Sequence, residues 1–448
     1  MENNRRSFIK KMGVAGATAA IIPSVLASEG KPLNFLKRIE AKRNSKPIAI
    51  ALIGAGGMGV ADTKTALEHE NISLLAVCDL YEGRLEESKK RWGSNLFLTQ
   101  KYEDILKRED IDAVIIGTPD HWHKKISIDA LKAGKHVYCE KPMIHSVAEG
   151  HEILEAWKKS GKVYMVGSQG LSSLGNEKAK QLLEAGAIGE INYAEGFWAR
   201  NSPLGAWQYP IPNDASPQTV DWKKFIEPTT KRPFDENRFF RWRNYTDYGT
   251  GMSGDLFVHL FSSLHFITNS LGPNKVAATG GLRYWHDGRE VPDVLLGMFD
   301  YPDTENHPAF NLSLRCNFVD GTSGSTYLKI VGSKGSMDVT WDNVHLKQNT
   351  ASNDNDPFTE EKASEESLTR SDRKKILPPS DTFYEAERGY KGAHYDHFAN
   401  FFHAIRTGGT VVENPVFGFR AAAPALLCND SYRQNKFIQW DPEQMKIV

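Results

Sequence analysis

From Pro47 onward, apolar runs alternate with amphipathic stretches in a regular rhythm. Ile48–Ile53, Ser73–Cys78, Ala113–Ile116, His136–Cys139 and Val163–Val166 are short runs rich in β-branched and other apolar residues. That is the pattern of strands buried on both faces. Between them, Gly57–His69, Tyr81–Trp92, Lys124–Ala133 and Val147–Ser160 mix apolar and charged positions as helices do. Gly134 and Gly161 stand where helix C-caps belong. Strands alternating with helices predict a doubly wound parallel sheet over residues 47–166.

The pattern changes after Gly167. A helix around Asn176–Ala185 leads to a strand at Glu190–Trp198. Next comes Arg200–Tyr248, a long aromatic and basic stretch, and then a helix over Met252–Thr268. Lys275–Tyr284, Val294–Tyr301, Phe310–Phe318, Ser325–Val331 and Ser336–Thr340 then follow as strands with no helix between them. Direct succession predicts antiparallel pairing. Residues 167–448 therefore read as a second α/β domain around a large, mostly antiparallel sheet. Gln348–Asp381 is polar and acidic and reads as a surface loop. Helices at Ala393–Arg406 and Val416–Gln434 and a strand at Phe437–Trp440 close the chain.

The first residues have a different character. Arg5 and Arg6 precede an apolar Gly/Ala-rich stretch, Met12–Leu26, and Val25-Leu26-Ala27 suits cleavage before Ser28. The stretch is too short for an ordinary membrane-spanning helix, so no stable membrane anchor is expected. The arginine pair resembles a twin-arginine export signal, which makes 1–27 a removable signal peptide and the location periplasmic or otherwise exported. Residues 28–46 read as a linker or arm. Lys and Arg number 55 against 56 Asp and Glu, a net charge of −1. No basic excess calls for nucleic acid. Cys78 and Cys139 end predicted strands and read as buried thiols, and no Cys-x-x-Cys or Cys/His cluster suggests a metal. His394 and His397 lack an evident third ligand, so capping or packing is expected of them.

Chemistry enters where the first strand ends. Gly54-Ala55-Gly56-Gly57-Met58-Gly59 supplies Gly-x-Gly-x-x-Gly between a strand and a helix. The first glycine allows the turn, the second lets backbone approach a pyrophosphate, and the third lets helix pack on strand. The next strand ends in Asp79, placed to accept hydrogen bonds from an adenosine ribose. Strand, spacing and acid together predict dinucleotide binding. Asp79 repels a 2′-phosphate, which favours NAD, with NADP the alternative because Arg84 lies five residues on. Thr118-Pro119-Asp120-His121-Trp122-His123 and Glu140-Lys141-Pro142 follow two further strands at the ligand-binding edge. Gln169 follows the Val163–Val166 strand and borders the same edge. Thr118, Pro119, His123, Glu140 and Lys141 join the glycines, Met58 and Asp79 as predicted cofactor contacts. Asp255 and His259, four apart, share one face of the Met252–Thr268 helix.

With these residues in view, the chain resembles the Gfo/Idh/MocA oxidoreductases over about Pro47 to Trp440. The marks are the glycine turn, Gly117-Thr118-Pro119, Glu140-Lys141-Pro142 and Gly254-Asp255-x-x-x-His259. Arg232-Pro233-Phe234, Asp247-Tyr248-Gly249 and Trp440-Asp441-Pro442 look like an exported, carbohydrate-linked branch. The resemblance implies a Rossmann domain plus an antiparallel α/β domain whose open sheet commonly serves oligomerisation, hence a homodimer or tetramer. It implies oxidation of a secondary hydroxyl of a sugar or glycoside, with His259 as general base, Lys141 at the reacting oxygen, and Asp255 orienting His259 or holding a neighbouring sugar hydroxyl. Arg241, Trp242 and Tyr248, with Trp207 and Trp222 behind them, are the expected wall for the sugar. Export implies that the cofactor stays bound and is recycled in the site. Two rivals remain: a glycoside hydrolase or lyase that oxidises its substrate transiently, and a sugar-binding protein without catalysis.

Overall fold

The computed structural model describes residues 46–321, 326–349 and 380–448. The predicted signal and arm, except Lys46, and most of Gln348–Asp381 lie outside the described residues. The first layer runs β1 (Ile48–Ile53), α1 (Gly57–Leu67), β2 (Ile72–Cys78), α2 (Glu82–Trp92), β3 (Phe97–Thr99), β4 (Ala113–Ile116), α3 (His123–Lys132), β5 (His136–Glu140), α4 (Gly150–Ser160) and β6 (Tyr164–Gly167). The six strands are all parallel, in the order β3-β2-β1-β4-β5-β6. Strand order reverses at β1, where such sheets hold ligands beyond their carboxyl ends. Helix α4 starts later than its periodicity predicts. Val147–Glu149 forms a 3-10 turn instead, closed by a reciprocal capping box between Ser146 and Glu149.

The second layer adds α5 (Leu174–Glu184), β7 (Ile191–Ala199), α6 (Val258–Thr268), β8 (Lys275–Gly281), β9 (Val294–Tyr301), β10 (Phe310–Asn317), β11 (Thr326–Gly332), β12 (Gly335–Val339), β13 (Asn343–Gln348), β14 (Ser380–Glu385), α7 (Ala393–Thr407), α8 (Pro415–Gln434), β15 (Ile438–Asp441) and β16 (Lys446–Ile447). Its ten-stranded sheet has the order β14-β13-β12-β11-β7-β10-β9-β8-β15-β16. Neighbours are antiparallel except β7 and β10, which run parallel with Tyr193 opposite Asn311. The fold is therefore a parallel Rossmann sheet plus a mostly antiparallel mixed sheet, as predicted. Alternation along β9 shows how the sheet is used. Leu295, Gly297, Phe299 and Tyr301 are buried on the helix-covered face, while Leu296 and Met298 are exposed on the other.

Two of the segments that cross between the layers frame the site. Helix α7 returns to the parallel sheet, where Phe398, Phe401 and Phe402 share a core with Ile50, Leu52, Tyr138 and Met165. Phe398 stacks on Tyr138 with ring centroids 4.3 Å apart. Each buried phenyl contributes about 1.5–3 kcal/mol to this docking. The second crossing is the aromatic stretch. Val220, Trp222, Phe225, Phe240 and Tyr248 cluster on Tyr81 at the end of β2. The Asp221 N–H donates to the Leu80 carbonyl (2.8 Å), the Glu82 N–H donates to the Thr219 carbonyl (2.9 Å), and the Tyr81 hydroxyl donates to Asp214 (2.5 Å). The stretch is thus a strap across the carboxyl end of the parallel sheet. All four cysteines are buried and free.

Candidate active site

The glycine turn is dictated by backbone crowding. Gly54 has φ +94°, and a Cβ there stands 2.7 Å from the Gly117 carbonyl carbon. A Cβ on Gly59 stands 2.1 Å from the Gly54 oxygen, so Gly59 serves helix-on-strand packing. Nothing lies within 4 Å of a Cβ built on Gly56 or Gly57. The first turn of α1 is therefore open to a cleft of about 700 Å³. Its free N–H groups and positive dipole end suit a pyrophosphate. Asp79 is 5% exposed and accepts from the Ala55 N–H (2.8 Å) and the Tyr81 N–H (2.9 Å). These bonds fix the carboxylate at the cleft wall beside the glycine turn. Arg84 lies 3.6 Å from it and over the Phe239 and Phe240 rings. The Thr118 hydroxyl is buried with no partner among the described residues, as a ligand-facing donor would be. On these observations the residues fit a dinucleotide.

Gly54, Gly56, Gly57, Met58, Asp79, Thr118, Pro119, Glu140, Lys141 and Gln169 all line the one cleft. His123 does not. It is buried, with Nε2 2.9 Å from the Thr118 carbonyl and Nδ1 2.8 Å from the Pro142 carbonyl. It ties two strand-end loops together beneath the site. Glu140 is buried and accepts from Gln169 Nε2 (2.6 Å), which also reaches Asp62 (3.4 Å). Burial, reinforced by the Asp62 charge, pushes the Glu140 pKa up to about 8. His394 lines the cleft with Nε2 2.9 Å from Asp62, while His397 is buried against Ser172 and the Val166 carbonyl. No metal-ligating cluster exists among the described residues.

Lys141, at the end of β5, meets the second domain. Its Nζ donates to the Asp255 carbonyl (2.5 Å) and to Asp255 Oδ1 (2.9 Å). Arg243 Nε donates to the same Oδ1 at 3.2 Å. Burial alone raises the Asp255 pKa, but Lys141, Arg243 and Arg200 hold it well below the usual carboxylate range. Asp255 does not sit on a regular helix. Ser253–Phe257 forms a π-helical turn before α6, next to Thr250, whose N–H and hydroxyl both donate to Asp120 (3.0 and 2.7 Å). Such wide turns recur at functional sites. His259 nevertheless joins Asp255 in the cleft. Its ring stacks on Trp198 (5.3 Å) and meets the edge of Trp341 (5.9 Å), and Nδ1 has no partner among the described residues. Burial and the positive charges of Lys141 and Arg200 hold its pKa well below the ordinary value, against the pull of Asp255. The imidazole is neutral at neutral pH.

The expected sugar wall is largely core. Tyr248 is fully buried, packed on Phe225 (4.8 Å) and His121 (5.1 Å), and Trp207 and Trp222 are buried too. Arg241 turns away and donates to the Tyr209 carbonyl (2.9 Å). Of the three named wall residues, only Trp242 lines the cleft. An aromatic run reads alike whether it lines a cavity or packs a strap. Trp198, Arg200, Tyr209, Arg243 and Trp341 form the wall instead. Trp198 and Arg200 lie at the end of β7, where a strand-end rule applied to the second domain finds them. Trp341 lies in the turn between β12 and β13, and only Gly170 leaves room for its ring, since a Cβ there stands 2.3 Å from it.

The family model described as the GFO_IDH_MocA oxidoreductase family, NAD-binding Rossmann fold, matches residues 48–168. The model of that family's C-terminal alpha/beta domain matches residues 180–439. The 2,7-anhydro-N-acetylneuraminate hydratase of Mediterraneibacter gnavus is 24% identical over 324 residues, 70% of this chain and 76% of that protein. A glycosyl hydrolase family 109 protein of Shewanella baltica is 29% identical over 213 residues, 44% of this chain and 46% of its own length. A levoglucosan dehydrogenase solved with NADH and levoglucosan shares the fold with a TM-score of 0.64 at 19% identity, covering 88% of this chain and 99% of that one.

Proposed function

The chain belongs to the Gfo/Idh/MocA oxidoreductase family, with an NAD-binding Rossmann domain, and from that premise we propose that it oxidises a secondary hydroxyl of a sugar or glycoside. The observation that carries this is the convergence of Lys141, Asp255 and His259, from two domains, on one cleft. Neutral His259 is in the form that accepts the hydroxyl proton. Lys141 has three N–H donors, of which Asp255 occupies two, leaving one for the same oxygen. Its charge stabilises alkoxide character as the proton leaves. Asp255 holds Lys141 in place. When bound, the nicotinamide supplies the hydride acceptor. Trp198 and Trp341 offer aromatic faces to the apolar side of a sugar ring. The test is a glycoside screen on the isolated protein, read as reduction of bound nucleotide together with formation of a keto-sugar.

A second route is favoured by the strap. Residues 214–225 bridge the β2 end through the bonds from Asp221, Glu82 and Tyr81, beside the Asp79 wall. A nucleotide enclosed there is recycled rather than exchanged. Retention suits a redox-neutral reaction, in which the sugar is oxidised, undergoes elimination or hydration, and is restored. The relatives named as a hydratase and as glycosyl hydrolases support it. Cleaved or hydrated sugar, with bound NAD unchanged at the end, selects this route over net oxidation.

We also infer export by the twin-arginine route, supported by Arg5, Arg6 and the following apolar stretch. The open sheet face supports a homo-oligomer. Leu296, Met298 and Phe383 are exposed there, Met298 to 61%. No helix among the described residues is long and apolar enough to cross a membrane.

A further inference from the structure

The charges around the reacting end of the cleft do not balance. Three cations, Lys141, Arg200 and Arg243, line it together with one ionised carboxylate, Asp255. Asp255 is already engaged by Lys141 (2.9 Å) and by Arg243 Nε (3.2 Å). The other cations lining the cleft are accounted for. Arg84 stands beside Asp79, and Lys224 pairs with Glu103 and Glu227 (2.9 Å each). Glu140 does not restore the balance, because burial and Asp62 keep much of it protonated at neutral pH.

Arg200 is the outlying charge. Its backbone N–H is fixed to the Asn317 carbonyl (2.9 Å). Among the described residues, no carboxylate lies within 4 Å of its guanidinium. Arg200 follows Trp198 at the end of β7 and lines the cleft with Asp255 and His259, and its charge acts on both. Arg243 spends Nε on Asp255 and lays its guanidinium over Trp242 at 4.2 Å. That leaves its terminal nitrogens unspent on any carboxylate among the described residues.

We infer that the substrate carries an anionic group, a carboxylate or a phosphate ester, received by the guanidinium groups of Arg200 and Arg243. This deepens the proposal of a sugar oxidoreductase and rests on it. A planar guanidinium offers paired N–H donors that match the oxygens of either group. Arg200 has no carboxylate partner among the described residues and Arg243 shares Asp255 with Lys141, so the partly buried cations are under-compensated, which is costly, and an arriving anion removes that cost. A neutral sugar pays to desolvate the arginines and receives no charge pairing in return. The excess positive field also draws an anionic substrate into the cleft.

The test uses the protein with the nucleotide it carries on isolation. The ligands are the methyl glycoside of a hexuronic acid, the matching neutral hexoside and a hexose phosphate. Binding is measured by calorimetry, and nucleotide reduction by absorbance. An anionic sugar is expected to bind at least about tenfold tighter than the neutral one, in keeping with charge-assisted hydrogen bonds. The preference shrinks as salt rises. Whichever of carboxylate and phosphate binds more tightly identifies the group. Arg200→Gln is expected to abolish most of the preference, and Arg200→Lys to retain part of it. The inference is overturned if the neutral hexoside binds as tightly as both anionic sugars. It is equally overturned if Arg200→Gln keeps the full preference while holding nucleotide and melting like wild type. Should Arg200→Gln fail to fold, the wild-type comparison and its salt dependence decide. Tight anion binding with neither reduction nor product contradicts the proposed function and leaves this inference standing. Reduction by neutral sugars alone does the reverse.

Discussion

Lys141 Nζ lies 2.9 Å from Asp255 Oδ1 and 2.5 Å from the Asp255 carbonyl oxygen. One ammonium thereby joins the end of a Rossmann strand to the π-helical turn that opens α6. The pair is about 90% buried on both sides. Lys141→Met is expected to lower turnover at least about a hundredfold, the scale of a lost acid–base or oxyanion group. It also leaves Asp255 with Arg243 as its only ion-pair partner among the described residues, at a cost of about 1–3 kcal/mol of stability for the lost charged hydrogen bonds. Steady-state kinetics and denaturant melts check both, with nucleotide content measured alongside to show that binding survives.

Glu140 predicts a pH signature. Its folded pKa is pushed from 4.5 up to about 8. Between those values the native state holds a proton that the unfolded state has released. Stability linked to this group is therefore fully present below pH 4.5 and declines as pH rises toward 8. Glu140→Gln removes the group and is expected to flatten that decline. Melting of both proteins across this range checks it. A variant whose decline is as steep as the wild type's would assign the effect elsewhere.

Much of this was legible in the chain. β1 (Ile48–Ile53), β4 (Ala113–Ile116) and β9 (Val294–Tyr301) match the predicted bounds residue for residue, because apolar runs bounded by glycine or polar turns leave little choice. β3, β13, β14 and β16 were missed, and the predicted loop Gln348–Asp381 runs into the start of β14. A three-residue edge strand carries no period, and Asn343–Gln348 buries only Val344 and Leu346. The parallel pairing of β7 with β10 depends on strand order, which local pattern does not record. The same division holds at the site. Lys141, Asp255 and His259 announce themselves by motif. Trp198 and Arg200 at the end of β7, and Trp341 in the turn between β12 and β13, lie far in sequence from those motifs and join them only in the folded protein. Tyr248 and Trp222 have the composition of a pocket wall and the burial of a core.

Asp79 accepts from the glycine turn and lines the cleft at once, where it is expected to meet a ribose. The protein is expected to purify with nucleotide bound, mostly NAD. Asp79→Ser is expected to weaken NAD binding about tenfold and narrow its advantage over NADP, since a ribose acceptor and a phosphate-repelling charge are lost together. Denaturation and quantification of released nucleotide checks the first point, and titration of stripped protein the second. Protein that is empty and binds neither nucleotide contradicts both.

Replacing Arg5 and Arg6 with a Lys-Lys pair is expected to strand the protein in the cytoplasm with its activity intact. The export machinery reads the arginine pair, whereas the residues lining the cleft all lie beyond Pro47. Cell fractionation with a blot for shortening at Ala27–Ser28 checks this. An uncleaved wild type that stays in the cytosol would overturn export and remove one reason for a retained cofactor.

The central claim is that His259, kept neutral by burial and by Lys141 and Arg200, removes the proton when the sugar is oxidised. Its direct test is rapid mixing of nucleotide-loaded protein with the tightest-binding sugar, following reduction of bound nicotinamide in one turnover. Wild type is expected to reduce its nucleotide with an acid limb well below the pH 6.5 of an ordinary histidine. His259→Ala, with equal nucleotide content, is expected to be at least about a hundredfold slower. Reduction by His259→Ala at the wild-type rate would contradict the account.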